Sequence, residues 1–203
     1  MALDDLAKDI QEGSDSGRDR WVAVYIGVLA VILAICSMGA GNATKDATLN
    51  NIEAANVWAF FQAKNMRRQV LRVEADNLAL RLKTETDLTP DARAAIEAKI
   101  AEYRKQDAIL TTGDPDKPAA EREGLDQLFE KGKRLDAVRD LAMRRDPYFD
   151  YGEALLQIAI VLASISIITK GGLLLGVSGI LGVAGALLTL NGFTLAFELP
   201  GMG

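Results

Sequence analysis

Glu153 and Gln157 stand one helical turn apart at the start of an uncharged apolar run that ends at Lys170. A carboxylate entering a membrane-length run is a candidate ligand for a proton or an ion. Glu153 lies at the very edge of the run, where water reaches it, so an interfacial or helix-packing role is the simpler expectation. The single cysteine, Cys36, lies inside the first apolar run and can form no intrachain disulfide. Leu33-Ala34-Ile35-Cys36 approaches a lipoprotein cleavage box, but Ile35 stands where a small residue is required and the leader is acidic. Cys36 therefore reads as a buried thiol. The chain has no histidine, which removes the commonest general base and metal ligand. Carboxylates, lysines, tyrosines and hydroxyls remain, in no recognisable catalytic arrangement. We expect no catalytic residue, no cofactor and no metal site.

The elements that carry these residues are set by charge and hydropathy. Uncharged apolar runs lie between Arg20 and Lys45, between Glu153 and Lys170, and between Lys170 and Glu198. A helix needs about 20 apolar residues to cross the hydrocarbon core of a bilayer. Three transmembrane helices are expected, over 19–44, 151–170 and 171–203 with a short C-terminal tail. Residues 1–18 read as a mobile acidic tail, because a signal peptide would begin basic and carry a shorter apolar run. Trp21 and Tyr25 suit the membrane interface. By the positive-inside rule, Arg18, Arg20 and Lys170 place the N-terminus in the cytoplasm and residues 45–150 in the periplasm. Arg139, Arg144 and Arg145 oppose this, but long domains weigh little in the rule.

Residues 45–150 carry 19 Lys/Arg and 20 Asp/Glu. This intermixed, near-neutral block excludes the basic patch that nucleic acid demands and suits helices laced with ion pairs. No proline interrupts from Val22 to Thr89, so one helix is expected to run out of the first span without a break. It carries a heptad pattern over 45–84, with Leu49, Asn56, Ala63, Val70 and Asn77 at a and Ile52, Ala59, Met66, Val73 and Leu80 at d. Asn56 and Asn77 at a positions are a device that fixes register and strand number. A second stripe, Val57, Phe61, Leu71, Ala75, Leu78 and Leu82, lies on another face. Two apolar faces suit one helix packed on its own return limb and on another chain; one broad core face is the alternative.

Thr89, Pro90 and Asp91 form a helix start. Residues 111–118 read as a loop, and a further helix carries Leu125, Leu128, Phe129, Leu135, Val138 and Leu141, ending near Asp146-Pro147. The chain must return to the membrane it left. An outward helix and an interrupted return limb satisfy this, so the domain reads as an antiparallel, coiled-coil-like helical hairpin with a kink or bulge near 111–118.

The third span is rich in small residues. Gly172 and Gly176 are four apart, as are Ser178, Gly182 and Ala186, a spacing that lets helices approach closely, within the bundle or between subunits. Gly179 and Gly185 widen that surface. Gly171-Gly172 is expected to make the tight turn after Lys170. Asn191 could bond across helices or sit near the far headgroups.

Two strings are distinctive. Asn56-Val57-Trp58-Ala59-Phe60-Phe61-Gln62-Ala63-Lys64 follows the first span, and Glu153-Ala154-Leu155-Leu156-Gln157-Ile158-Ala159-Ile160 opens the second. With the short link and the Gly-rich third span, they resemble a bacterial family catalogued as domain of unknown function 4337. The resemblance covers nearly the whole chain and implies the same span–helices–span–span order. It carries no established activity, cofactor or functional residue. Where the family often has several basic residues after its second span, this chain has Lys170 alone. Trp58, Phe61 and Gln62 could dock a partner helix or a lipid headgroup, or form the core where the return limb packs.

The expectation is an all-α integral membrane protein of the bacterial inner membrane. It is read as non-enzymatic, with the lipid bilayer and either copies of itself or another membrane protein as partners. A homo-oligomeric channel or transport component is the alternative, with Asn42, Thr44, Asn50 and Asn51 lining a vestibule.

Overall fold

The computed structural model of the chain describes residues 2–118 and 121–198, with side chains from residue 17 onward. The described residues form four helices and no strands: α1 (Ala2–Thr84), α2 (Pro90–Thr112), α3 (Leu125–Thr169) and α4 (Gly172–Thr194). Two compact units result, Met1–Ala47 with Asp140–Gly203, and Thr48–Arg139. The helices α1, α3 and α4 each contain a stretch long and apolar enough to cross a membrane.

The unbroken α1 follows from the absence of proline. It is helical from Ala2, so the leader expected as a separate tail belongs to the first helix. At its other end Arg81 and Lys83 oppose the negative end of the helix dipole. The restart at α2 is written locally. The Thr89 side chain accepts a hydrogen bond from Ala92 N at 3.2 Å, and Pro90 occupies the first turn, where its missing N–H costs nothing.

Between α2 and α3 the helical path is interrupted. Gly113 adopts φ +87°, a left-handed value that favours glycine. A Cβ on Gly124 would strike the backbone of Gly113 and Thr111, so only glycine fits there. Asp114 Oδ1 accepts from Asp116 N at 3.1 Å, an Asx turn that closes the first bend.

The third helix runs through Pro147, whereas the sequence suggests an end near Asp146-Pro147. Proline inside a helix loses a backbone hydrogen bond and costs about 3 kcal/mol. That cost is offset by the residues that follow it. Tyr148 and Phe149 are buried, and Leu156 is fully buried one face further on. Ending the helix at Pro147 would move all three.

Lys170, at φ 54°, makes the α3–α4 turn, while Gly171 has φ −82° and caps α4. Of the Gly171-Gly172 pair expected in this turn, Gly171 lies in the link and Gly172 is the first residue of α4. A non-glycine residue in the left-handed conformation of Lys170 is strained by roughly 1 kcal/mol. Arg18 Nη1 donates to the Lys170 carbonyl at 3.2 Å and helps hold the turn.

The unit that contains this turn is closed by Leu29, Cys36, Ala43, Phe149, Leu156 and Ala159, a contiguous buried cluster from α1 and α3. Glycines let the rings approach. A Cβ on Gly39 or Gly192 would lie 2.5 or 2.8 Å from Phe149 Cε1, and one on Gly185 would lie 2.8 Å from Leu156 Cγ.

Candidate functional site

The heptad face of α1 lies open. Leu49, Ile52, Val70, Val73 and Leu80 are each 54–59% exposed and Met66 is 71% exposed. Asn56, Ala59, Ala63 and Asn77, the other four positions of the repeat, are exposed as well. The second stripe is the packed one. Val57 and Ala75 are buried, and Phe61, Leu71, Leu78 and Leu82 are half-buried. The two stripes that the sequence leaves undivided are thus separated by tertiary contact: one is spent within the chain and the other is not.

What covers the second stripe is an aromatic cluster and a ladder of polar contacts. Trp58 meets Phe61 and Phe129 edge-on, with centroids 5.7 Å apart in each pair, and Phe61 and Phe129 stand 6.1 Å apart. Trp58 Nε1 donates to Asp136 Oδ2 at 3.0 Å, and Arg139 Nη1 donates to the other oxygen at 2.7 Å. Gly132 is the floor beneath the indole, since a Cβ there would lie 2.7 Å from Trp58 Cε2. Lys131 pairs with Glu53 at 3.1 Å, and Arg72 makes a two-pronged bond to Asp107 at 2.8 and 3.1 Å. Lys64 reaches the Glu123 carbonyl and lies 4.7 Å from the Phe60 ring centre. Burial pulls the Lys64 ammonium below the usual lysine range, against the opposing pull of Glu123.

Of the residues singled out from sequence for the helix interface, Trp58 and Phe61 therefore meet in one cluster. Asn56, Gln62 and Asn77 do not join them and stay exposed. Phe129, Gly132 and Asp136 belong to the cluster and were not singled out as its members. The heptad-like spacing of Phe129, Gly132 and Asp136 (i, i+3, i+7) is the signal that would have found them.

In the apolar unit, Ser178 is fully buried and its Oγ donates to the Ala159 carbonyl at 2.7 Å. Tyr25 OH donates to the Ser178 carbonyl at 2.9 Å. A Cβ on Gly182 would lie 2.7 Å from that same hydroxyl and 2.9 Å from Leu29 Cδ2, so α1 and α4 touch at this glycine. Ala186 is half-buried. Gly172 and Gly176, expected in the same packing set, have nothing within 4 Å of a built Cβ and make no close approach within the chain. They sit on a different face of α4, because a four-residue spacing defines a row without saying which row is covered. Gly152, not singled out, does pack, with Thr189 Oγ1 3.1 Å from its built Cβ.

Gln157 Nε2 donates to Glu153 Oε1 at 3.1 Å, so the two polar residues at the start of the second apolar run satisfy one another along one face of α3. Cys36 is fully buried and its Sγ donates to the Phe149 carbonyl at 3.3 Å. Thr44 Oγ1 lies 3.0 Å from Asp146 Oδ1 and donates to it, while Asn42 is exposed. Asn191 closes the end of its own helix: its amide donates to the Phe197 carbonyl at 2.8 Å and accepts from Phe197 N at 3.0 Å. Among the described residues no group of three His, Cys, Asp or Glu side chains could hold a metal ion.

The fold and these faces define an all-helical chain with three membrane-length helices and an exposed heptad face. The chain belongs to the family described as Domain of unknown function (DUF4337), whose model matches residues 18–195. No curated protein and no solved structure matches it.

Proposed function

We propose that this protein is a non-enzymatic component of the bacterial inner membrane, a scaffold that assembles with copies of itself through the heptad face of α1. Three membrane-spanning helices would anchor an antiparallel helical hairpin made of α1 against α2 and α3. The antiparallel order is supported by the pairing of Arg72 with Asp107, Phe61 with Phe129 and Trp58 with Asp136, in which one number falls as the other rises. The observation that carries the function is the exposure of every a and d position from Leu49 to Leu80.

Burying a Leu, Ile, Val or Met side chain contributes about 1.5–3 kcal/mol, so six such residues on one stripe favour a partner strongly. A second copy is the occupant that the sequence of the face itself fits. Asn56 and Asn77 fall three heptads apart on the same a row, and buried asparagines at a pair best with their own counterparts. The N-terminus is read as cytoplasmic, with Arg18, Arg20 and Lys170 obeying the positive-inside rule.

The test uses the full chain, purified in mild detergent with Cys36→Ser and a single Val70→Cys. Oxidation should give a disulfide-linked dimer in high yield, and Arg67→Cys, off the repeat, should give little. A chain that sediments as a monomer and cross-links at neither position would sink the self-association reading. Cross-linking to a different protein in intact cells would replace the second copy by that partner.

A further inference from the structure

Between α1 and α4 lies a groove of about 330 Å³, lined by Arg18, Trp21, Val22, Tyr25, Leu175 and Gly179. Its walls are apolar and its floor is Gly179, over which a built Cβ meets nothing within 4 Å. One cationic side chain stands at its mouth. Arg18 lies there with Nη1 on the Lys170 carbonyl, and its Nη2 is shielded from solvent with no hydrogen-bond partner among the described residues. Arg20 and Lys170 are near this end in sequence, as are Asp15 and Asp19, and an oxygen of Asp19 stands 3.8 Å from Arg18 Nε. Trp21, 76% exposed, stands at the rim, where an indole suits the headgroup layer.

We infer that this groove binds one anionic phospholipid, its phosphate on the Arg18 guanidinium and one acyl chain along Trp21, Val22, Tyr25 and Leu175 over Gly179. Charge complementarity selects the occupant. A guanidinium matches a phosphate diester better than any neutral group, and the apolar slot below it matches a hydrocarbon tail. The volume is in the range of small-ligand sites, enough for the upper part of one chain rather than a whole lipid. Tyr25 is held in place by Ser178, so the wall is preformed. The inference rests on the reading of α1 and α4 as membrane spans.

The test is native mass spectrometry of the full chain released from detergent containing equal phosphatidylglycerol and phosphatidylcholine. Wild type should retain one phosphatidylglycerol per protomer in preference to phosphatidylcholine. Arg18→Gln should reduce that preference about fivefold, the worth of one basic residue at a membrane surface. Gly179→Leu should expel both lipids by filling the slot. Gly27→Leu, which adds the same bulk at another open glycine, should leave retention unchanged. Equal retention of the two lipids by wild type, or unchanged retention in Arg18→Gln and Gly179→Leu, overturns the inference. So does displacement of the lipid by millimolar inorganic phosphate, which would mark an anion site without an acyl slot, or a cross-link between copies at Trp21→Cys. Alkaline carbonate extraction separates the two levels. Release of the chain from membranes would overturn the membrane reading and this inference with it, whereas a chain that stays embedded without lipid preference would overturn this inference alone.

Discussion

The indole Nε1 of Trp58 donates to Asp136 Oδ2 at 3.0 Å, and Arg139 binds the other oxygen of the same carboxylate at 2.7 Å. One aspartate thus fixes the only polar atom of a ring whose remaining surface packs on Phe61, Phe129 and Gly132. Removing the carboxylate leaves the indole N–H half-buried and unpaired. Asp136→Ala is expected to cost about 1–3 kcal/mol, and Trp58→Ala about 3–5 kcal/mol because it also opens a cavity. Gly132→Ala should cost about 1–3 kcal/mol, since the new methyl group would displace the ring. Denaturant titration in detergent, followed by the fluorescence of the tryptophans, measures the Asp136 and Gly132 variants. Circular dichroism measures Trp58→Ala. An Asp136→Ala protein as stable as wild type would show that the bond is incidental.

Charge on the open heptad face should dissolve the assembly without harming the protomer. Met66→Lys and Val73→Lys alter residues that are 71% and 56% exposed, so each should change protomer stability by no more than about 0.5 kcal/mol. Together they should shift the mass of the detergent-solubilised particle to that of one chain. Asn77→Leu should leave it assembled and change the number of copies, because asparagine at a restrains strand number. Light scattering reads both, and an unchanged mass in the double-lysine variant would remove α1 from the interface.

The α4 glycines should divide by face. Gly182→Leu must displace Tyr25 or Leu29 and is expected to destabilise the apolar unit by 1–3 kcal/mol or about that order. Gly176→Ala, over open space, should be neutral or stabilising by up to about 1 kcal/mol. Thermal unfolding in one detergent ranks the pair. A larger loss at Gly176 would mean that this face is covered by another chain.

The end of α1 should respond to acid. The Arg81 guanidinium, bonded to Glu85 at 2.8 and 3.1 Å, holds that carboxyl below the usual range near 4.5. A carboxylate with a depressed folded pKa stabilises the folded form above its unfolded value and loses that contribution as pH falls through the folded one. Amide exchange over residues 81–85 should therefore be slowest, relative to its intrinsic rate, above about pH 4.5 and lose protection below it. Glu85→Gln should flatten the dependence. A wild-type profile as flat as that of the variant would show that the pair does not hold the helix end.

Much of this was legible in the residues. The run without proline gives α1 its continuity, Thr89-Pro90 gives α2 its start, and the Gly/Pro/Asp cluster gives the break before α3. Periodicity also names both apolar stripes of α1, because each recurs at helical spacing. It cannot say which one is covered, since that depends on where Leu125, Phe129 and Gly132 arrive from far along the chain. The same limit explains Gly172 and Gly176, and explains why Pro147 reads as a helix end although Phe149 and Leu156 hold the helix through it.

The sequence by itself determined that three stretches are long and apolar enough for a membrane, that the chain is helical throughout its described elements, and that its one cysteine and missing histidines leave little chemistry. These are local properties, set by composition and short-range spacing. Only the tertiary structure decided which face of α1 is left open, that Tyr25, Ser178 and Gly182 meet, and that Arg18 reaches the Lys170 turn above an apolar groove. The last two join residues about 150 positions apart. Such partners are chosen by packing and steric fit, and no local pattern encodes them.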